Sequence, residues 1–90
     1  MVRYQVEVKG HVQGVGFRAF VSETAKKYQV TGTVMNRAEG SVEIVAQGEA
    51  EELTAFLADV KKGNSFSTVS TLTKKEMEHE PNETRFTIVY

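Results

Sequence analysis

Between Val8 and Ser22 the chain carries Lys9, His11 and Arg18 and no acidic side chain, and Gly10, Gly14 and Gly16 fall in the same stretch. Glycines allow successive backbone N–H groups to converge into a concave anion nest. A helix opening just beyond adds unpaired donors and positive potential. An arginine in its first turn places a planar fork where it can grip two oxygens of a phosphate. The chemistry this suits is the holding of a tetrahedral oxyanion. The same residues also have plainer uses: a tight strand-to-helix connection, and a solvated surface charge.

Asn36 is the second residue of interest. It shares strand parity with Val30 and Val34, which directs it toward the sheet rather than the turn. A carboxamide offers a donor and an acceptor and can hold a water molecule; it is also a common turn residue. Other chemistry finds less support. Gly14-Val-Gly-Phe-Arg-Ala19 fits a G-x-G-x-x-A dinucleotide pattern, but the next strand leads into a hairpin and the chain is too short for a full dinucleotide site. There is no Walker-type G-x-x-x-x-G-K-[ST] run. The two histidines, His11 and His79, form no Ser-His-Asp spacing. His79 among Glu76, Glu78 and Glu80 reads as a solvated edge in preference to a weak cation site. With no cysteine, thiol nucleophiles, disulfides, zinc ribbons and iron–sulfur clusters are excluded.

The elements that must position Arg18 and Asn36 follow from periodicity. Val2, Tyr4, Val6 and Val8 alternate with Arg3, Gln5, Glu7 and Lys9, the pattern of a half-buried strand. Phe17, Phe20, Val21, Thr24, Ala25 and Tyr28 recur at helical spacing, predicting an amphipathic helix of about three turns. Val30–Arg37 and Ser41–Gly48 are strand-like runs joined around Ala38-Glu39-Gly40, a β-hairpin. Leu53, Phe56, Leu57 and Val60 stripe a second helix, opened by Glu49, Glu51 and Glu52 and closed by Lys61, Lys62 and Gly63. Val69–Met77 is an irregular, increasingly charged strand, Glu80-Pro-Asn-Glu83 a turn, and Arg85–Tyr90 a last strand with Phe86, Ile88 and Tyr90 on one face.

This order predicts an α+β fold. It is the ferredoxin-like split βαβ sandwich, an antiparallel sheet with two helices on one face and room for an extra edge strand. The 90 residues are expected to form one domain spanning positions 1–90. Hydrophobic residues at 40% and charged residues at 26% match a globular composition rather than a disordered tail. A net charge of −1 lacks the basic excess of a nucleic-acid binder. No run approaches the length of a membrane span, and Met1–Val8 does not read as a signal peptide. The expectation is a cytoplasmic monomer, with no nucleic-acid or membrane partner.

At two places the residues become specific. Gly10-His-Val-Gln-Gly-Val-Gly-Phe-Arg18 resembles the acylphosphatase signature G-[basic]-V-Q-G-V-x-F-R, and Gly32–Val42 resembles that family's second motif, G-x-V-x-N-x-x-x-G-x-V. Gly48 and Arg85–Tyr90 also fit, so the resemblance spans most of the chain. It implies hydrolysis of the carboxyl-phosphate bond of acyl phosphates to a carboxylate and inorganic phosphate by direct attack of water. No metal, cofactor or covalent intermediate would take part. On this resemblance Arg18 is the phosphate-binding catalytic arginine and Asn36 the water-orienting asparagine. Gly10, His11, Val12, Gln13, Gly14, Val15, Gly16 and Phe17 form the substrate-binding loop and helix start. The chain departs from the family pattern at Thr33, often Trp, at Met35, often basic, and at Gly63-Asn-Ser, often Gly-Pro.

Two other classes compete. A non-catalytic anion-binding module could use the same nest and Arg18 without turnover, as in acylphosphatase-like domains of carbamoyl-transferring maturation proteins. The presence of Asn36 and the length of the chain favour the enzyme. An RNA-binding sheet is opposed by the helical, not strand, spacing of Phe17 and Phe20 and by the near-neutral charge.

Overall fold

The computed structural model describes residues 1–90. Seven elements follow the chain: β1 (Val2–His11), α1 (Phe17–Lys27), β2 (Thr31–Asn36), β3 (Val42–Gly48), α2 (Ala50–Lys62), β4 (Thr68–Met77) and β5 (Phe86–Val89). The five strands form one sheet in the order β4-β1-β3-β2-β5. The inner face is built by parity, as alternation demands: Val6 and Val8 of β1, Val34 of β2, and Val42, Ile44 and Ala46 of β3 are buried. Val6 stands opposite Ile44 and Ile44 opposite Val34, so one apolar row crosses three strands. Phe17, Val21 and Ala25 of α1, and Leu53, Phe56, Leu57 and Val60 of α2, close the same core from above. Burying side chains of this size stabilises by about 1.5–3 kcal/mol each before entropy is counted.

The ferredoxin-like layering is as the sequence predicts, with two corrections. The sheet is mixed, not antiparallel: β5 runs parallel to β2, with Gly32 opposite Phe86 and Val34 opposite Ile88. Alternation reports which residues share a face but carries no information on strand direction, which depends on the long return from β4. The strand over Val69–Met77 is also fuller than its irregular pattern suggests. It pairs with β1 from Arg3–Met77 to His11–Thr68, with a register shift between Lys9 and Gly10. As an exposed edge it needs no continuous apolar face, and charge there blunts edge-to-edge pairing.

Strand direction decides where a site can form. β1, β2 and β5 point the same way, because β3 is antiparallel to both β1 and β2 and β5 is parallel to β2. Their carboxyl ends therefore meet at one end of the sheet, where α1 begins. Asn36 is the last residue of β2 and lies on the inner face, in the row of Val8 and Val42. The turn after α2 returns to this same end.

Candidate active site

A cleft of about 180 Å³ opens at this junction, lined by Val12, Gly14, Gly16, Phe17, Arg18, Ala19, Asn36, Ile88 and Tyr90. Gly14 and Gly16 have φ of 75° and 73°, whereas Val15 between them does not adopt positive φ. That alternation curls the backbone into a nest, and only glycine takes both positions without steric cost. The N–H groups of Gly14, Val15 and Gly16, and those of Phe17, Arg18 and Ala19 in the first turn of α1, have no acceptor within the molecule. Gly16 caps the helix without a side-chain hydrogen bond, and no acidic residue sits in the first turn. The positive end of α1 is thus left open toward the cleft.

Arg18 is half-buried at the cleft wall. Its Nη1 donates to the Val89 carbonyl at 3.1 Å, and its guanidinium carbon lies 4.8 Å from the centre of the Tyr90 ring. These two contacts hold the fork on the β5 side. Across the cleft, Asn36 Oδ1 is buried with no hydrogen-bond partner. A buried acceptor without a donor is costly, and this one lies on a residue that lines the cleft. The lining holds no carboxylate, imidazole or amine side chain.

The predicted loop residues divide. Val12, Gly14, Gly16 and Phe17 line the cleft with Arg18 and Asn36. Gly10 and His11 belong to β1, paired with β4, and do not line it. Gln13 turns the other way: its Nε2 donates to the Arg37 carbonyl at 2.8 Å and the Ser41 carbonyl at 2.9 Å. It ties the loop to the β2–β3 turn and so braces Asn36 from outside. Val15 packs against the core, and its carbonyl accepts from Asn64 Nδ2 at 2.9 Å. Sequence reasoning did not mark Ala19, Ile88, Tyr90 or the Val89 carbonyl as site groups. The apolar parity of the last strand was visible, but its place beside β2 was not. Thr33 and Met35 alternate with Val34 onto the open face of the sheet, away from the cleft.

The perturbed titrating groups lie outside the cleft. The Tyr28 hydroxyl donates to Asp59 Oδ2 at 2.7 Å. That bond, followed by burial, raises the Tyr28 pKa. The same bond lowers Asp59, with Lys27 and Lys62 adding attraction. At the hairpin, a hydrogen bond from its own backbone amide is the main cause holding the Glu39 carboxyl below the usual range, with Ser41 and Arg37 assisting. No group of three or more His, Asp or Glu side chains is placed to hold a metal ion, and His79 and its glutamates do not gather into one.

Fold and site together define a split-βαβ sandwich with a cleft of unpaired backbone N–H groups at the carboxyl ends of its parallel strands. Comparison with known proteins narrows this class. The Acylphosphatase family model matches residues 4–88. An acylphosphatase of Clostridium acetobutylicum is 47% identical over 100% of this chain and 99% of its own length. The crystal structure of acylphosphatase from Bacillus subtilis superposes with a TM-score of 0.95 at 43% identity, covering 100% of both chains. An acylphosphatase structure from Coxiella burnetii gives a TM-score of 0.91 at 33% identity, over 98% of this chain and 92% of that one. The chain belongs to the acylphosphatase family.

Proposed function

We propose that this chain hydrolyses the carboxyl-phosphate bond of small acyl phosphates by direct attack of water, with Arg18 and Asn36 as its catalytic residues. An acyl phosphate is a mixed acid anhydride, so the enzyme is a hydrolase of that class. The observation that carries the reading is the convergence on one cleft of unpaired N–H donors, the Arg18 fork and the unpartnered Asn36 oxygen.

The carboxylate is a good leaving group and needs no strong general acid. What remains is positioning and charge. The phosphoryl group seats its equatorial oxygens against the Gly14–Ala19 N–H groups and Arg18, which meet the negative charge where it spreads. Asn36 Oδ1 accepts a hydrogen bond from the attacking water and aims its oxygen at phosphorus. The new P–O bond forms from that oxygen. The P–O bond to the acyl group breaks, its electron pair leaving on the carboxylate. Because no carboxylate or imidazole side chain lines the cleft, the water's proton passes to an oxygen of the phosphate itself on this reading.

The same reading makes the reaction independent of metal and cofactor, since the cleft's own donors carry the charge a metal would otherwise meet. It also makes the protein a monomeric single domain over residues 1–90. Its large exposed apolar side chains, Met1, Phe66, Met77, Val89 and Tyr90, are few, and both apolar helix stripes face the core. No helix is long and apolar enough to cross a membrane. The cytoplasm is the proposed compartment. Benzoyl phosphate hydrolysis in the presence of EDTA tests the function. Turnover that EDTA leaves unchanged and inorganic phosphate inhibits competitively is the expected result. Phosphate binding without turnover would identify an anion-binding module instead.

A further inference from the structure

The turn that follows α2 reaches the phosphate loop through one side chain. Gly63 (φ 74°) ends the helix, with its N–H on the carbonyls of Asp59 and Val60 at 3.3 and 3.0 Å. Asn64 is then fixed at its backbone, where its N–H donates to Ser67 Oγ at 2.9 Å. Its side-chain Nδ2 donates to the Val15 carbonyl at 2.9 Å, across 49 positions of sequence. No other group in the molecule donates to that carbonyl. An acceptor such as Val15 O can only be met by the amide nitrogen, which sets the orientation of the carboxamide.

The consequence lies in the peptide unit. In a trans peptide the C=O of one residue and the N–H of the next point in opposite directions, and the chain contains no cis peptide. Pulling the Val15 carbonyl outward to Asn64 turns the Gly16 N–H the other way. Gly16 lines the cleft, and its N–H has no acceptor within the molecule. The freedom removed is considerable, because Gly14 and Gly16 flank this peptide and glycine rotates readily about φ and ψ. We propose that Asn64 is a positioning residue for the reaction: by holding the Val15 carbonyl it aims the Gly16 N–H at the phosphoryl oxygens. This rests on the cleft being the phosphate site described above. It also gives a use to one departure from the family pattern, since a proline at position 64 has no amide to offer.

The test uses inorganic phosphate as the probe and the Gly16 amide as the reporter. In wild type, titration with phosphate is expected to move the Gly16 amide proton downfield in a ¹H–¹⁵N NMR spectrum. Asn64→Ala removes the tether. It should weaken phosphate binding about tenfold, as expected on losing alignment of one hydrogen bond to a charged acceptor, and shrink the Gly16 response. Asn64→Asp keeps the shape but cannot donate, and should lose at least as much. In turnover of benzoyl phosphate both variants should raise KM more than they lower kcat, because Asn36 and the water are untouched. A purely structural role would lower Tm while leaving phosphate affinity and the Gly16 shift as in wild type, and that result overturns the proposal. So does a wild-type Gly16 amide that ignores phosphate. If wild type binds phosphate through Gly16 but does not turn over benzoyl phosphate, the hydrolase reading fails while the Asn64 assignment is still decided by the titration.

Discussion

Arg18 is anchored twice on the β5 side, by a hydrogen bond to the Val89 carbonyl and by the face of Tyr90. Each contact leaves nitrogen donors of the fork for the cleft and would reduce the entropy lost on binding the proposed phosphate. Removing the side chain takes away both charge and fork. Arg18→Ala should therefore lower kcat/KM for benzoyl phosphate by at least about 10²–10³, the usual loss for one transition-state donor. Steady-state kinetics read this directly, and a variant within tenfold of wild type would remove Arg18 from the catalytic role. Asn36 makes a different demand. Its Oδ1 has no protein donor, so on the proposed mechanism Asn36→Ala takes away the hold on water and little of the hold on phosphate. It should reduce kcat while the inhibition constant of inorganic phosphate stays near the wild-type value. Unchanged kcat would end the water-orienting assignment.

At the scale of elements, the two helices are joined where α1 ends by the Tyr28–Asp59 hydrogen bond, with Lys27 Nζ 3.7 Å from the same carboxylate. Asp59 titrates lower when folded. The stability it contributes is present above the ordinary carboxylate range and is lost as pH falls through the folded value. Tyr28 titrates higher when folded, so its contribution is present below the ordinary tyrosine range and is lost as pH rises through the folded value. The tie is thus complete across the neutral range. Asp59→Asn should lower Tm by a few degrees at pH 7, and its deficit should shrink as the pH is taken below the ordinary carboxylate range. A deficit constant across acid pH would show that the ion is not involved. The hairpin that carries Asn36 is held by a steric condition. Gly32 has φ of 140°, and a Cβ there would collide with the Val45 carbonyl. Backbone cannot move aside without breaking the β2–β3 ladder, so Gly32→Ala should cost about 4 kcal/mol or more in urea unfolding. A loss under 1 kcal/mol would mean the strands can re-register.

At the scale of the whole molecule, the return from β4 to β5 crosses the open face of the sheet and is stapled there. Arg3 Nη1 and Nη2 donate to the two oxygens of Glu83 at 3.0 and 3.2 Å. Thr31 Oγ1 donates to Glu83 Oε1 at 2.8 Å. Gln47 is buried and brackets the Glu80 peptide, donating to its carbonyl at 2.9 Å and accepting from its N–H at 2.8 Å. These bonds link β1, β2 and β3 to the segment that delivers β5 beside β2. Since β5 brings Val89 and Tyr90 to Arg18, the staple acts on the cleft from the far end of the sheet. Glu83→Ala should cost about 1.5–3 kcal/mol, the range for hydrogen bonds to a charged group, and weaken hydrogen-exchange protection in Phe86–Val89. Full protection of those amides in the variant would show that β5 docks without it.

Much of this molecule is local and therefore legible along the chain. Alternation placed Val6, Val8, Val34 and Ile44 in the core. Helical spacing placed both apolar stripes. Resemblance to the family's two motifs singled out Arg18 and Asn36 as candidates, and the glycine conformations, helix start and strand parity that place them depend on residues within a few positions of one another. Other features are contacts between residues far apart in sequence, and no local pattern encodes them. The direction of β5 follows from where the Arg3, Gln47 and Glu83 bonds pin the return loop. The cleft wall at Ile88 and Tyr90 follows from that direction. The turning of Gln13 toward Arg37 and Ser41, and the reach of Asn64 to Val15, depend on which carbonyls the folded chain leaves without donors. Local periodicity chose the elements, and the resemblance to the family motifs marked the candidate residues. The satisfaction of buried and half-buried polar groups across the assembled sheet decided which way they face.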